Sequence, residues 1–247
     1  MGKGPVRTLI IIPTYNEKEN IPLLLEEVMK VTPSEVDVLV VDDGSPDGTG
    51  QLVDQIAARE KRVHILHREK KMGLGTAYVN GFKWGMARDY QVFIEMDADF
   101  SHDPKYLPVM LQSLLTHDVA IGSRYVPGGG TVNWGIGRKI LSRGGSLYSR
   151  LILGANIRDF TGGFNGWKRQ VLMSVDYPSL RSDGYSFQIE LKYRAFLKKF
   201  DIHEFPITFV DRKVGASKMN RRIVIEALGR VWSFRCRSHQ NQSLPPA

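Results

Sequence analysis

The chain has 247 residues, of which 42% are hydrophobic, so it is long enough to bury a sizeable core. Its 34 lysines and arginines against 26 aspartates and glutamates give a formal net charge of +8, which suits an anionic partner such as a nucleotide, a phospholipid surface or a nucleic acid. A single cysteine, Cys236, excludes an internal disulfide, and no apolar stretch reaches the roughly 18 residues that span a bilayer.

Short apolar runs alternate with helical patterns through the first half of the chain. Such alternation is typical of βαβ units, and it predicts an α/β fold with a mostly parallel sheet in one domain. The predicted strands are Val6–Ile12, Val36–Val41, Val63–Leu66, Val92–Met96 and Val119–Ile121.

Helices are predicted between these strands. The first begins near residues 20–22, the second near 47–49, and the third covers about Leu74 to Arg88. Within the third helix, Gly81 and Gly85 are one turn apart. Because glycine costs about 1 kcal/mol inside a helix, two at this spacing indicate close packing against a neighbour.

The pattern changes after the fifth strand. A Gly-rich loop is predicted first, and it is followed by a helix, a strand, a second helix and a polar, Pro-rich tail. Their ranges are Tyr125–Gly137, Arg138–Leu153, Ile202–Phe209, Arg221–Arg237 and Ser238–Ala247.

The strand at residues 92–96 leads directly to two carboxylates, Asp97 and Asp99. In an open α/β sheet, ligands bind outside the carboxyl ends of the strands. Two carboxylates so close repel each other unless they share a cation, and Mg²⁺ or Mn²⁺ held together with substrate phosphates is the usual solution. The alternative is an acidic turn that caps the next helix, with Asp103 as N-cap and Pro104 as first helical residue.

The first strand leads to Pro13-Thr14-Tyr15-Asn16-Glu17 at the same predicted edge. Tyr15 can stack on a nucleobase, and Glu17 can accept hydrogen bonds from ribose hydroxyls or base amines. A plain loop before a helix explains this segment equally well.

The second strand ends in Asp-Asp-Gly-Ser-Pro-Asp-Gly-Thr at residues 42–49. Asp43, close to the strand end, is the better ligand candidate, whereas Asp47 or Thr49 caps the next helix in the alternative interpretation. Three polar strand ends on one edge of a sheet are much less expected by chance than one.

Six segments, taken in order, resemble the family-2 glycosyltransferases and within them the dolichol-phosphate or polyprenol-phosphate mannosyltransferases. The similarity runs from about residue 7 to residue 230, and residues 119–129 resemble the bacterial polyprenol-phosphate enzymes more than the eukaryotic subunit. The segments are residues 13–17, 42–49, 73–78 (Gly-Leu-Gly-Thr-Ala-Tyr), 96–99, 122–125 (Gly-Ser-Arg-Tyr) and 217–218 (Ser-Lys).

The resemblance implies a single GT-A domain over residues 1–237. Its Rossmann-like, mostly parallel sheet is flanked by helices. A nucleotide-sugar half would occupy about residues 6–122 and an acceptor half about 123–237, with a disordered tail at 238–247.

The resemblance also implies the site residues on the donor side. Guanosine of GDP-mannose would contact Pro13, Tyr15, Glu17, Val41 and Asp43. The ribose, the diphosphate and a Mg²⁺ or Mn²⁺ ion would be held by Asp97, Ala98 and Asp99, with Ser101 as a possible further metal ligand.

The implied acceptor is a lipid phosphate, which is already ionised and therefore needs cationic clamps rather than a general base. The candidates are Arg124, Arg138 and Ser142 for that phosphate, and Arg212 and Lys218 on a loop at 211–218 that would close over both substrates. Asp99, Arg124 and Arg212 are the predicted catalytic residues.

At three positions no catalytic role is carried over. Asn165 stands where relatives often have arginine or lysine, so no phosphate contact is assigned to it. Helix capping is the interpretation for both His102 and Asp103.

The resemblance implies inverting transfer of mannose from GDP-mannose to a polyprenyl or dolichyl phosphate, giving a β-linked lipid phosphate mannose and GDP. One alternative is glucose transfer from UDP-glucose to the same acceptor. The other is a nucleotide- or nucleic-acid-binding module without catalysis. Nucleic acid is not expected as a partner, because the basic candidates follow strand ends that face the two aspartates.

The predicted helix at 221–237 carries an apolar stripe beside arginines. Two interpretations stay open: an amphipathic helix lying on a membrane surface, or a helix packed on the core with a solvated basic face. The lipid acceptor implies a peripheral protein on the cytoplasmic face of a membrane, with a separate anchoring protein as a possible partner. The stripe consists of Ile223, Val224, Ala227, Leu228, Val231 and Trp232.

Overall fold

The computed structural model describes residues 6–180, 182, 184–211 and 229–236. Its strands are β1 (Thr8–Thr14), β2 (Val36–Asp42), β3 (Val63–His67), β4 (Val92–Glu95), β5 (Val119–Ser123), β6 (Gly130–Val132), β7 (Asn165–Lys168), β8 (Ile202–Pro206) and β9 (Thr208–Val210). Its helices are α1 (Ile21–Val31), α2 (Thr49–Ala57), α3 (Leu74–Met86), α4 (Leu107–Thr116), α5 (Ile136–Leu153), α6 (Arg169–Ser174) and α7 (Gly184–Leu197). Short 3₁₀ turns cover Pro104–Tyr106 and Tyr177–Ser179.

The described strands form a seven-stranded sheet in the order β3-β2-β1-β4-β7-β5-β8 and a small β6-β9 pair. Neighbours in the large sheet run parallel, except that β7 is antiparallel to both β4 and β5. This topology confirms the predicted α/β class and its mostly parallel sheet.

Apolar side chains fill both faces of the sheet. In β1, Leu9 and Ile11 belong to the core on one face, and Ile10 and Ile12 to the core on the other. A strand covered on both sides must be apolar at every position, which explains the continuous runs in the sequence.

Helix α3 packs unusually close to the sheet at the two glycines that the sequence singled out. A Cβ atom at Gly81 would lie 2.6 Å from a methyl carbon of Ile11, and one at Gly85 would overlap the ring of Phe93. Real Cβ atoms do not come this close, so the absence of side chains lets the helix approach the sheet. The predicted close packing is confirmed.

The structure differs from the prediction mainly in the second half. Strand β7 was not predicted, because its sequence Asn-Gly-Trp-Lys has little strand propensity and only its pairing with β4 and β5 makes it a strand. The predicted loop 125–137 contains β6 and the first residues of α5. The predicted strand at 202–209 is divided at Ile207 into β8 and β9.

Only residues 229–236 of the predicted C-terminal helix are described, and they are helical. Val231 and Phe234 are buried in the core, whereas Trp232 is exposed. This part therefore packs on the core, and the stripe residues 223–228 lie outside the described residues. Within the described part of the chain, no helix has the length and hydropathy required for a transmembrane span.

Candidate active site

Three strand ends meet at one edge of the sheet. β1 lies between β2 and β4 and runs parallel to both, so the segments that follow Thr14, Asp42 and Glu95 leave the sheet together. Pro13 and Val41 are direct cross-strand partners. The predicted grouping of the polar strand ends is therefore confirmed.

Tyr15 forms an aromatic wall at this edge. Its ring is half-buried, and the Lys71 ammonium lies 4.2 Å from the ring centre. Glu17 follows in the same loop, where its carboxylate accepts a hydrogen bond from Asn20 Nδ2 at 2.8 Å. The Glu17 backbone N–H donates to Thr49 Oγ1, which ties the first loop to the start of α2.

The two aspartates after β2 have different roles. Asp42 is used by the loop itself, since its carboxylate accepts from Thr14 Oγ1 and from both the N–H and the hydroxyl of Ser45. Asp43 lies beside Arg68, with Oδ1 2.9 Å from Nη1 and both side chains buried. Burial raises the pKa of Asp43 although Arg68 opposes the shift.

The Asp43–Arg68 pair is close but poorly aligned. Asp43 Oδ1, Arg68 Nε and Arg68 Nη1 are buried and have no hydrogen-bond partner. Buried polar groups are normally paired, so unpaired ones at a strand-end crevice indicate a place for a polar ligand. An acceptor and donors side by side match the edge of a nucleobase.

The N-cap of α2 is Gly48, so the alternative interpretation, with Asp47 or Thr49 as the cap, is wrong; Asp47 instead binds the first residue of the helix. The Asp47 carboxylate accepts from the backbone N–H and the hydroxyl of Thr49 and from the backbone N–H of Lys18. Burial is the largest single influence and raises the pKa of Asp47, but these hydrogen bonds together outweigh burial and lower the pKa.

Asp97 and Asp99 lie just beyond β4 and are both partly exposed. Tyr78 donates to Asp97 Oδ1 at 3.4 Å, and the backbone N–H of Ser101 donates to Asp99 Oδ1 at 3.1 Å. Ala98, between the two aspartates, is buried in the core and so fixes the backbone that carries both carboxylates.

The arrangement suits a hard divalent cation. Asp97, Asp99 and Ser101 offer only oxygen atoms, the ligands that Mg²⁺ and Mn²⁺ prefer. In the described residues, no group of three or more His, Cys, Asp or Glu side chains converges as a complete metal site. Two carboxylates fit a cation whose other ligands come from substrate phosphates.

His102 has a different role from the one predicted. It caps no helix; Asp103 is the N-cap, and its carboxylate accepts from the Lys105 N–H. The His102 ring is buried and its Nδ1 accepts the backbone N–H of Asp97 at 3.0 Å. Burial lowers the pKa of His102, so the ring is neutral near pH 7 and positions the Asp97 backbone.

Arg124 directly follows β5, as predicted, and is held by a partner that the sequence analysis missed. Its Nε and Nη2 donate to the two carboxylate oxygens of Asp159, both at 2.7 Å. Asp159 also accepts the backbone N–H groups of Arg124 and Gly162. Burial alone would raise the pKa of Asp159, but Arg124 outweighs it and sets the pKa at about 2.

A buried lysine supports this pair. Lys192 of α7 is fully buried, and its Nζ donates to the carbonyls of Asp159 and Gly162, both at 2.8 Å. Burial lowers the pKa of Lys192 from 10.5 to about 8. Lys192 therefore fixes the turn at 159–162 that holds Arg124.

The Lys192 contacts predict a pH-dependent effect on stability. Because the pKa in the folded state lies below that of the unfolded chain, unfolding takes up a proton between about pH 8 and 10.5, and stability rises with pH there. The free energy of unfolding of the wild type minus that of Lys192→Met should therefore increase by on the order of 2 kcal/mol from pH 7.5 to 9.5. Urea unfolding at both pH values measures it, and an unchanged difference would contradict the assignment.

Beneath this edge lies a buried polar network. Asn165, fully buried, donates through Nδ2 to Glu95 Oε2 and Gln188 Oε1, both at 2.8 Å, and Trp167 Nε1 also donates to Glu95. Burial raises the pKa of Glu95 to about 7. Asn165 thus joins the sheet to α7, consistent with assigning it no phosphate contact.

The three predicted acceptor-phosphate residues lie together. Arg124 Nη2 donates to Thr161 Oγ1 at 2.9 Å, and Ser142 Oγ lies 3.5 Å from the same atom. The guanidinium carbons of Arg124 and Arg138 lie 5.5 and 4.1 Å from the Trp134 ring centre.

Arg138 and Trp134 also carry unsatisfied donors. Arg138 Nη1 pairs with Asp211 at 2.7 Å, but Arg138 Nε and Trp134 Nε1 are buried and have no hydrogen-bond partner. Ser142 accepts a hydrogen bond from Tyr125 at 2.7 Å. Unpaired cationic and N–H donors around one indole indicate a place for an anion.

One aromatic side chain connects the two halves of the site. The Phe209 ring packs edge-on against His102 and Trp134, at 5.5 and 5.3 Å between ring centres, and lies 5.6 Å from the Arg124 guanidinium carbon. Phe209 therefore lies between His102, which holds the Asp97 backbone, and the basic cluster. The predicted Arg212 and Lys218 lie outside the described residues.

Sequence reasoning missed Arg68, Asp159 and Lys192. The sequence could have identified Arg68, because this residue directly follows β3 at the same edge of the sheet as Asp43 and Asp97. Asp159 and Lys192 had no comparable signal, since their contacts form only through the fold.

Comparisons with known proteins agree with this geometry. A sequence profile of the family described as "Glycosyl transferase family 2" matches residues 9–175. The polyprenol monophosphomannose synthase of Mycolicibacterium smegmatis is 49% identical over 94% of this chain and 88% of its own. The undecaprenyl-phosphate mannosyltransferase of Micrococcus luteus is 49% identical over 94% of this chain and 96% of its own.

Solved structures give a similar fold at lower identity. Glucosyl-3-phosphoglycerate synthase from Mycobacterium tuberculosis, in complex with Mn²⁺, uridine diphosphate and glucosyl-3-phosphoglycerate, is 18% identical with a TM-score of 0.66. The alignment covers 99% of this chain and 82% of that one. The complex of the same enzyme with Mg²⁺ and uridine diphosphate gives the same values. At this identity the likeness shows a shared fold.

Proposed function

Because the chain belongs to glycosyl transferase family 2, we propose that it transfers mannose from GDP-mannose to a polyprenyl or dolichyl phosphate. The observation that carries the proposal is the pair of relatives at 49% identity, both named for mannose and an isoprenoid phosphate. The family resemblance drawn from the sequence is confirmed, and the chain is a glycosyltransferase with the GT-A fold rather than a binding module.

On the donor side, we assign the nucleoside to Pro13, Tyr15, Glu17, Val41 and Asp43, as the sequence predicted, and we add Arg68. Tyr15 supplies a stacking face, and Asp43 with Arg68 supplies an acceptor and donors for the base edge. Asp97, Ala98 and Asp99 are assigned to the ribose, the diphosphate and the cation. Arg212 and Lys218 remain predicted donor contacts.

On the acceptor side, Arg124, Arg138 and Ser142 are assigned to the lipid phosphate. One phosphate oxygen attacks mannose C1 while the bond to GDP breaks, in a single displacement that inverts the anomeric carbon to give a β linkage. An ionised phosphate needs no proton removed, which agrees with a crevice in which His102 is neutral and already engaged.

A Mg²⁺ or Mn²⁺ ion bound at Asp97 and Asp99 would neutralise the charge that develops on the departing diphosphate. Asp99 is oriented for this by the Ser101 N–H, and Asp97 by the His102 ring on its backbone. Ser101 as a metal ligand remains a prediction. We place the reaction at the cytoplasmic face of a membrane, where the lipid acceptor resides, with a separate anchoring protein as a possible partner.

The test is a transfer assay with purified protein. Radiolabelled GDP-mannose and a short-chain polyprenyl phosphate are incubated with Mg²⁺ or with EDTA, and the lipid is extracted. We expect label in the organic phase only with the metal, and the one-bond C1–H1 coupling constant of the product should identify a β linkage.

A parallel incubation with UDP-glucose tests the donor. Lipid label from UDP-glucose but not from GDP-mannose would overturn the mannose assignment. Label from GDP-mannose that persists in EDTA would overturn the cation assignment and leave the substrates in place.

A further inference from the structure

Two histidines lie side by side at the edge of the sheet opposite the candidate active site. His117 is the C-cap residue of α4, and His203 is the second residue of β8. Both lie near the amino ends of the parallel neighbours β5 and β8, whereas the crevice lies at carboxyl ends of strands. Their ring centres are 4.7 Å apart, and the ring planes are inclined by 17°. The proposed reaction uses neither ring.

The hydrogen bonds of the two rings leave the same nitrogen atom available on each. His117 Nδ1 lies 2.7 Å from Asp201 Oδ2, and His203 Nδ1 lies 3.1 Å from Ser113 Oγ. A carboxylate only accepts hydrogen bonds, so the neutral His117 ring carries its proton on Nδ1 and a lone pair on Nε2. The Ser113 hydroxyl can accept from His203 in the same way. Neither Nε2 atom has a hydrogen-bond partner among the residues that the structure describes.

Both rings can be reached from outside through a surface pocket between α4 and β8, and both are partly exposed. Two imidazoles that bind one tetrahedral ion through nitrogen, at about 2.0–2.1 Å each, have ring centres roughly 5 Å apart. The two histidines are therefore already at about the separation that a shared ion requires. The pocket is lined by both histidines and by Pro108, Val109, Gln112 and Thr116.

The charges around the two rings favour a cation. The C-terminal end of a helix carries a partial negative charge, and His117 lies at that end of α4. Two carboxylates are close by, because the Asp118 side chain accepts the backbone N–H of Asp201 at 3.2 Å. The neighbouring cation, Lys168, is directed to Asp118, with 3.5 Å between Nζ and Oδ1. A carboxylate on the second nitrogen of a histidine, as Asp201 is here, is the usual support of a metal-binding imidazole.

We propose that Nε2 of His117 and Nε2 of His203 bind one Zn²⁺ ion, or another divalent ion that prefers imidazole such as Ni²⁺ or Cu²⁺, with water in the other positions. Asp201 faces Nδ1 and is not a third ligand; in the described part of the chain, no three metal-binding side chains converge on one point. The bound ion joins the end of α4 to β8. This site is independent of the proposed function.

Calorimetric titration of the full-length protein with Zn²⁺ tests the site. Excess Mg²⁺ is present to occupy sites made of oxygen atoms, and all proteins carry Cys236→Ser because the exposed thiol would also bind Zn²⁺. We expect one Zn²⁺ per chain. His117→Gln and His203→Gln should each lower the affinity at least about tenfold, and Asp201→Ala should lower it about tenfold. Saturating Zn²⁺ should raise the Tm of the parent protein by about 5 °C.

His67 on β3 supplies a matched control. Its Nε2 lies 3.1 Å from Asp54, so His67→Gln removes another histidine that contacts a carboxylate, and this variant should bind Zn²⁺ like the parent protein. In EDTA, all variants should unfold at the temperature of the parent protein. A second measurement needs no substitution at the site: substoichiometric Cu²⁺ should broaden the imidazole NMR signals of His117 and His203 but not that of His67.

Three results would overturn the proposal. The first is a parent protein that binds no Zn²⁺, and the second is binding that both histidine variants retain. The third is one Zn²⁺ for two chains together with dimerisation, since the ion would then lie between copies rather than between α4 and β8. The titration contains no sugar donor or lipid, so failure of this site and failure of the proposed function are observed separately.

Discussion

Replacing Asp99 with asparagine should reduce mannosyl transfer by about 100-fold or more. The substitution keeps the size of the side chain but removes the negative charge that a cation requires. A loss of this size corresponds to roughly 3 kcal/mol of transition-state stabilisation. It should appear in kcat measured at saturating GDP-mannose, together with a higher Mn²⁺ concentration for half-maximal activity.

Asp103 supplies the matched control for that measurement. It lies four residues further on and caps the turn at 104–106 through its hydrogen bond from Lys105. Asp103→Asn makes the same chemical change outside the crevice and should leave kcat within about twofold, since asparagine is also a good N-cap. Unimpaired turnover in Asp99→Asn would refute the metal assignment.

Removing Asp159 should destabilise the protein by about 3–5 kcal/mol, because the Arg124 guanidinium would remain buried without its partner. The carboxylate accepts from Nε, Nη2 and the backbone of Arg124 and from Gly162, and an alanine replaces none of these bonds. The free energy of unfolding of Asp159→Ala, from urea denaturation, measures the cost. Transfer activity should also fall, since Arg124 loses its orientation.

A surface pair provides the comparison. Arg7 and Asp89 are 2.7 Å apart, but the Asp89 side chain is 75% exposed. Asp89→Ala should cost no more than about 1 kcal/mol. The double variant Arg124→Met/Asp159→Leu removes both buried charges and should be more stable than Asp159→Ala alone. If Asp159→Ala unfolds like Asp89→Ala, the buried pair does not stabilise the site.

The residues that we assign to the donor could be predicted because the evidence for them is local. Each parallel strand is a continuous apolar run, and the residues that follow it must lie at one edge, so Asp43, Asp97 and Asp99 were located without a structure. The same rule applied to β3 identifies Arg68. The position of these residues in the sequence also gives their position in the fold, because ligands of an open α/β sheet bind at the carboxyl ends of its strands.

The residues that we assign to the acceptor phosphate are positioned by contacts between distant segments. Asp159 is identified only by its contact with Arg124. In the sequence, Lys192 is a charged residue in a helix with no evident partner, and its role follows only from its hydrogen bonds to two backbone carbonyls. The sequence analysis left open what covers the helix at 221–237, and its described residues 229–236 bury Val231 and Phe234 in the core.

Strand β7 has a consequence for how this enzyme can be divided. It lies between β4 and β5, so these two strands belong to one sheet only once residues 165–168 have been added. A fragment that stops after β5 would leave open strand edges on either side of the gap, and open edges promote aggregation. Residues 6–122 are therefore no independent module: during synthesis, their sheet closes only after residues 165–168 have left the ribosome.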